Sequence, residues 1–395
     1  MIEKLYQISK KDSRFIIGLM SGTSLDGLDI ALCKISKSGK STQISLDRFV
    51  TMDYEDAFRS YVRGVFAKRN IDQQLLCGLH AYIGNIHAEL INQALKDWKI
   101  PNSQIDCIAS HGQTVYHAPQ SLTKDTRMPN STLQIGDADH IAVKTGIITL
   151  SDFRQKHIAA GGEGAPLAAY GDYLLFSHAT ENRFLLNIGG IANYTFIPNH
   201  QSELQAFATD IGPGNTIMNQ FAKENFDVEM DRDALIAKKG IINQPLLAQL
   251  LQEPFLQDSF PKTTGPELFN LTYLKTCQEQ SGVIDIKPED IMATLNQFTA
   301  TTIIDAIKKQ SMSLSNVHIY ISGGGLHNPL LLSKIKEGLP MYTVSSFENL
   351  GIDPDAKEAV LFALLANETL VGDKDNASQI KDSPAVCMGK ISLPQ

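Results

Sequence analysis

The chain has 395 residues, of which 43% are hydrophobic and 20% charged, and 35 Lys+Arg against 43 Asp+Glu leave a net charge of −8. That apolar content excludes a disordered chain, the acidic balance argues against a nucleic-acid binder, and the length suits two domains with sizeable cores. No apolar run approaches the roughly 20 residues of a membrane span, and the charged N-terminal stretch has no apolar core behind it, so neither a membrane segment nor a secretory signal is expected. The five cysteines (Cys33, Cys77, Cys107, Cys277 and Cys387) are scattered and form no CxxC pair, which reads as reduced thiols in a cytoplasmic protein.

In chain order, residues 15–20 and 29–35 predict strands joined by a Gly/Ser/Thr turn, and 41–50 adds a third, making an antiparallel meander. Helical spacing follows over about 54–68 and 73–98, the latter with Leu75, Leu79, Tyr82, Ile83, Ile86 and Leu90 on its apolar stripe. His80 and His87 lie seven apart on that helix and read as surface or packing residues, not metal ligands. Strands are expected at 105–110, 132–135 and 147–152. The second half repeats the style. Strands at 183–188 and 193–197 flank a Gly-Gly turn, and a strand at 205–211 runs into Gly-Pro-Gly and a helix. Helices dominate 244–312, a strand at 317–322 ends in three glycines, and a closing helix covers about 355–368.

Glycine-bearing polar segments follow several of these strands. In the first, Gly22, Thr23, Ser24, Leu25, Asp26, Gly27, Leu28 and Asp29 combine tight turning with hydroxyl and carboxylate groups, so backbone amides can approach an anion. Asp26 and Asp29 either hold Mg²⁺ through water or shape the turn. Asn187, Gly189 and Gly190, then Gly212-Pro213-Gly214, then Gly323, Gly324 and Gly325, complete a set suited to holding a nucleotide from several sides. The pattern GxxxxGK[ST] is absent, since Lys34 stands where the first glycine of a motif ending at Gly39-Lys40-Ser41 should be, and no GxGxxG opens a βαβ unit. Asp210, at a strand end before glycines, reads either as a general base or as a helix cap. Arg154 either clamps an anion or pairs with Asp152 or Glu163. His111 and Gln113 can hydrogen-bond a polyhydroxylated ligand, and for His111 a satisfied buried histidine fits equally.

Segments 18–29, 110–114, 152–166, 186–193, 210–215 and 322–325, in this order, resemble the anhydro-N-acetylmuramic acid kinases over most of the chain. The resemblance implies an α/β, two-domain actin-like ATPase (ribonuclease H-like) fold with a central nucleotide cleft. We expect domains at 1–150 and 151–395, the last helix being free to pack back on the first. It further implies that ATP, Mg²⁺ and water convert 1,6-anhydro-N-acetylmuramic acid into N-acetylmuramic acid 6-phosphate, a step in cell-wall recycling. Residues 22–29 would then bind the ATP phosphates, Asn187, Gly189 and Gly190 would approach the γ-phosphate, and Gly323–Gly325 the adenosine. Asp210 would be the catalytic base, and Gln113, Arg154 and Glu358 would face the sugar. No metal ligands are assigned. A cytoplasmic homodimer without nucleic-acid or membrane partners is implied. His157 stands where the family usually has Asp, and Glu163 where it usually has Gln, both beside the substrate segment. A kinase of another anhydro sugar, or an actin- or chaperone-like ATPase, are the alternative readings.

Overall fold

Residues 13–21 carry apolar side chains at both parities, so the strand they form is buried on both faces, with Ile16, Ile17 and Leu19 at 1% exposure or less. In the computed structural model, which describes residues 1–165, 167–353, 355–373 and 380–395, this strand is β1 (Ser13–Ser21). It is followed by β2 (Gly27–Ser36), β3 (Gln43–Asp53), β4 (Cys107–Ala118), β5 (Ser131–Ile135) and β6 (Thr149–Ser151). Strands β7 (Asn182–Ile188), β8 (Ile191–Ile197), β9 (Phe207–Pro213), β10 (Val317–Ser322), β11 (Thr343–Ser346) and β12 (Lys390–Ser392) complete the chain.

Two sheets result, with one strand order. The first runs β3-β2-β1-β4-β6-β12 with β5 beside β4, and the second runs β9-β8-β7-β10-β11. In each, three meander strands pair antiparallel and the next two lie parallel to the first of them. The expected α/β class and strand–turn–strand openings are therefore present in both.

The described residues form two units, Met1–Leu175 with Ile352–Gln395, and Phe176–Gly351. This differs from a division at 150/151. The helices Phe153–Ala159 and Ala168–Phe176 begin in the first unit, and helix Lys357–Val371 returns to it. The return has a clear cause. A Cβ at Gly18 would come within 1.9 Å of the Ala359 carbonyl, so only a glycine lets this helix lie directly on β1. The opposite face of the first sheet is covered by helix Gln73–Trp98, whose Leu79, Ile83 and Ile91 pack with Ile17, Leu19 and Ile30. Asp72 caps that helix by accepting from the amides of Gln74 (2.8 Å) and Leu75 (3.3 Å).

In the second unit, Phe184, Leu186, Tyr194 and Phe196 meet Ile303 and Ile307 of helix Pro288–Ser311 and Leu331 and Ile335 of helix Pro329–Gly338. A separate helical core gathers Phe221, Leu250, Phe269, Met292 and Phe298.

Several elements differ from expectation. Helix Ile2–Lys10 buries only Ile8, so its pattern carries little signal. The short strands β11 and β12 lack alternation to announce them. Strand β4 does not stop at 110: it continues through His111, Gly112, Gln113 and Thr114. Gly112 sits at φ +69, where the register against β1 shifts between Leu19 and Ser21. The polar run is thus part of a bulged strand.

Candidate active site

Within the first unit the functional residues gather at the carboxyl ends of β1, β4 and β6, where open α/β sheets bind ligands. The β1–β2 turn turns on Leu25, a buried leucine at φ 61, not on its glycines. Gly27 is pressed on β3, where a Cβ would meet the Met52 carbonyl at 2.6 Å, whereas nothing lies closer than 3.6 Å to a Cβ on Gly22. Thr23, Ser24 and Asp26 are exposed. Protein donors take the turn's carbonyls: Arg59 donates to those of Leu25 (3.0 Å) and Asp26 (3.1 Å), and the Tyr54 amide to that of Asp26 (3.2 Å). Leu28 is buried in the core. Asp29 accepts from the Thr51 hydroxyl at 2.6 Å, which ties its carboxylate to β3, and burial raises its carboxyl, with Asp355 adding to the shift.

Phe153 is locked on Phe362 of helix Lys357–Val371, ring centroids 5.5 Å apart, and this aims the next residue, Arg154. Its Nη1 donates to the Gly164 carbonyl (2.8 Å) and its Nη2 to His111 Nε2 (3.1 Å), while Nε is buried without a partner. Among the described residues Arg154 makes no ion pair. Asp152 pairs instead with Lys390. Burial lowers the Arg154 guanidinium, and Glu358 opposes that shift. Glu358 is an exposed residue in the first turn of helix Lys357–Val371. Crowding by protein raises its carboxyl, Lys357 and Arg154 pull it down, and Asp29 pushes it up.

Gln113 is fully buried, with Oε1 accepting from Ser21 Oγ at 2.6 Å and Nε2 directed at the carbonyls of Gly22 (3.4 Å) and Thr114 (3.3 Å). Every polar atom of its side chain serves the turn. His111 is likewise a buried, satisfied histidine, its pKa pushed down to about 3 by burial and by Arg154. His157 is buried too. Its Nδ1 accepts from the Gly164 amide (2.9 Å) and its ring fills the space where a Cβ on Gly162 would stand, so it folds the 161–164 loop, while Glu163 is exposed. Pro166, which closes that segment, lies outside the described residues.

In the second unit, sheet register alone aligns four polar residues. Ser322 pairs with Asn187, Asn187 with Asn193, and Asn193 with Asp210, across β10, β7, β8 and β9. Residues directly opposite share a face, and all four are half-buried. Asp210 lies inside β9, and Asn215 holds the N-cap position of helix Thr216–Phe226, so Asp210 is not a helix cap. Its Oδ2 accepts from the Thr264 amide at 2.9 Å, and its own amide donates to the Lys262 carbonyl at 3.0 Å. Burial raises the Asp210 carboxyl. The Thr264 amide opposes this and Glu267 adds to it. Lys262 is anchored by donating to the Phe255 carbonyl (2.6 Å) over the Phe255 and Phe260 rings.

The turn carrying Gly189 and Gly190 is tied to the β9–helix loop: the amide of Asn215 donates to the Gly189 carbonyl (2.8 Å), and those of Gly214 (3.0 Å) and Thr216 (3.1 Å) to that of Gly190. Gly323, at φ +84, abuts Asn187 and Ile188, and Gly325 abuts Ile188, while Gly324 faces open space up to Asn215 Nδ2 at 3.7 Å. Sequence reasoning missed Ser21, Tyr54, Arg59, Asn193 and Thr264. Ser21 and Asn193 stood in quoted motifs without a role, but nothing short of the fold could have brought Thr264 to Asp210.

Two α/β units of one strand order, each gathering its polar glycine turns at the carboxyl strand ends, are the duplicated architecture of the actin-like ATPase class. The family profile of anhydro-N-acetylmuramic acid kinase matches residues 14–386, and the chain belongs to that family. It is 52% identical to the anhydro-N-acetylmuramic acid kinase of Pseudoalteromonas atlantica over 100% of this chain and 99% of that protein. It is 36% identical to the one from Caldanaerobacter subterraneus subsp. tengcongensis, over 99% and 100%. Among solved structures it is similar to the ROK hexokinase from Thermus thermophilus, with a TM-score of 0.37 and 11% identity over 89% of this chain and 97% of that one. As a member of a kinase family the chain is a phosphotransferase with an alcohol acceptor, and ATP is its substrate. No described helix is long and apolar enough to cross a membrane.

Proposed function

We propose that this chain hydrolytically opens 1,6-anhydro-N-acetylmuramic acid and phosphorylates O6, yielding N-acetylmuramic acid 6-phosphate and ADP in cytoplasmic recycling of cell-wall sugars. The observation that carries the reading is Asp210: a half-buried carboxylate with a raised pKa, fixed by the Thr264 amide on a polar row at the strand ends. A base so placed takes a proton from water without being free to wander.

Atoms balance in one sequence. Water attacks C1 as Asp210 accepts its proton. The C1–O6 bond breaks, and O6 bonds to the γ-phosphorus while the bridging oxygen leaves with ADP. Attack from the face opposite O6 parallels inverting glycoside hydrolysis, with phosphorus capturing the leaving oxygen. The turn at Gly22, Thr23, Ser24, Leu25, Asp26 and Gly27 supports the ATP phosphates, and Gly189 and Gly190 approach the γ-phosphate. Gly323, Gly324 and Gly325 meet the adenosine. Arg154 and Glu358 face the sugar, whose lactyl carboxylate suits a guanidinium that makes no ion pair among the described residues. Gln113 acts one step back, by holding the turn.

Mg²⁺ fits this donor set. Asp26 is an exposed carboxylate and Asp29 a half-buried one at the phosphate turn, and hard carboxylate oxygens are what Mg²⁺ takes. When bound, the ion neutralises charge on the phosphates. No cluster of three or more His, Cys, Asp or Glu that could hold a metal ion occurs among the described residues.

Incubation with ATP, Mg²⁺ and a panel of anhydro and free sugars, followed by mass analysis, tests the reading. A gain of one phosphate plus one water on the anhydro-muramic substrate is expected. Preferred turnover of a plain anhydrohexose would favour another sugar, and ATP turnover independent of any sugar would sink the proposal. We also propose a homodimer, which light scattering decides.

A further inference from the structure

Ser21 ends β1 immediately before the glycine turn and is 1% exposed. Two buried hydrogen-bond chains converge on it. In the first, its hydroxyl meets Gln113 Oε1 at 2.6 Å and the Tyr54 hydroxyl at 2.8 Å, and the Tyr54 hydroxyl lies 2.9 Å from Nε2 of His87. Tyr54, His87 and Gln113 are all buried. The proton order is forced. Gln113 Nε2 faces two carbonyls, so the atom facing Ser21 is its Oε1, which only accepts. Ser21 therefore gives its single proton to Gln113, Tyr54 gives its own to Ser21, and His87 donates from Nε2. His87 Nδ1 is then a bare lone pair, and it is the ring atom the structure leaves buried without a partner.

The second chain ends on the Ser21 carbonyl. The Arg154 guanidinium only donates, so His111 Nε2 accepts from it at 3.1 Å. The His111 proton is thereby placed on Nδ1, which donates to the Ser21 carbonyl at 3.2 Å. The hydroxyl and the carbonyl of one residue are thus held by partners from β4 and the segment after β3, which are held in turn by the long helix and the 153–159 helix. The turn that follows holds Leu25 in the left-handed region, a conformation that persists only when its surroundings impose it.

We propose that Ser21 is a positioning residue for nucleotide phosphates, clamped by the His87–Tyr54 and Arg154–His111 chains so that residues 22–25 keep one conformation. The second chain also links the sugar-side arginine to the phosphate turn. The inference rests on that turn binding phosphate, as proposed above.

The test uses full-length Ser21→Ala, Tyr54→Phe and the double variant, with ATP affinity from isothermal titration, KM and kcat from steady-state rates, and melting temperature. Tyr54→Phe keeps the ring shape and removes only the link. Each single variant should weaken ATP binding and raise KM for ATP about tenfold, the cost of one buried hydrogen bond, with kcat within about threefold. The double variant should be no weaker than the weaker single, because both break one chain. Unchanged ATP affinity with only a lower melting temperature would overturn the proposal, as would additive losses in the double variant. Wild-type protein that binds no ATP would overturn the underlying reading of the turn, a result distinct from wild-type binding that the variants leave untouched.

Discussion

At the scale of single residues, Asp210 is defined by what contacts it. The Thr264 amide stabilises its ionised form while burial and Glu267 disfavour it, and burial dominates. In the proposed mechanism the carboxylate is the reactive form, so kcat should fall on the acid side through an ionisation above the ordinary aspartate range. Thr264→Pro deletes the amide donor and should move that limb to higher pH. Asp210→Asn should lower kcat by about 10²–10⁴ with ATP affinity kept. Near-normal turnover in Asp210→Asn would remove the residue from the mechanism. Asp210 was visible in the sequence as a carboxylate at a strand end before glycines, but whether it capped the following helix was not, because only pairing with β8 carries the strand on to Pro213 and leaves the N-cap to Asn215.

Elements decide what neighbouring glycines are for. Gly22 and Gly27 look alike in sequence, yet Gly27 is packed on the β3 backbone, whereas a Cβ on Gly22 would meet nothing closer than Ser24 Oγ at 3.6 Å. Gly22→Val should therefore weaken ATP binding with little change in melting temperature. Gly27→Val should lower stability first, by about 1–3 kcal/mol of overpacking. Equal melting temperatures for both variants, measured by calorimetry, would contradict this division. Strand β4 teaches the same lesson. The strand was expected to end at 110, before its polar run, because apolar residues mark a buried strand, but bulging at Gly112 sends His111 and Gln113 inward, where hydrogen bonds to Ser21 compensate their burial.

On the scale of the whole molecule, buried neutral histidines tie stability to pH. His87 and His111 have pKa values of about 3 when folded, against 6.5 for an ordinary histidine. Their unfolded forms bind protons first, so each withdraws about 1.4 kcal/mol per pH unit as pH falls below roughly 6.5. His87→Gln keeps a neutral donor, so its melting temperature should fall less than that of the wild type between pH 7 and pH 5. Parallel curves would refute the assignment. For the reaction, water entering opposite O6 should give the α-anomer first, and proton NMR of fresh product showing initial β-anomer would contradict the geometry.

The sequence by itself determined the α/β class, the meander strands, the long helices and the glycine turns, because hydrophobic period and turn chemistry are local properties. It also contained the family. Tertiary structure alone decided that helix Lys357–Val371 returns to β1, that Thr264 holds Asp210, and that Ser21 is clamped from four sides. These depend on contacts between residues from 33 to more than 300 positions apart, in one case through the missing side chain of Gly18. No periodicity encodes which distant groups meet, since that is settled only when the sheets pack and each buried polar atom must find its partner.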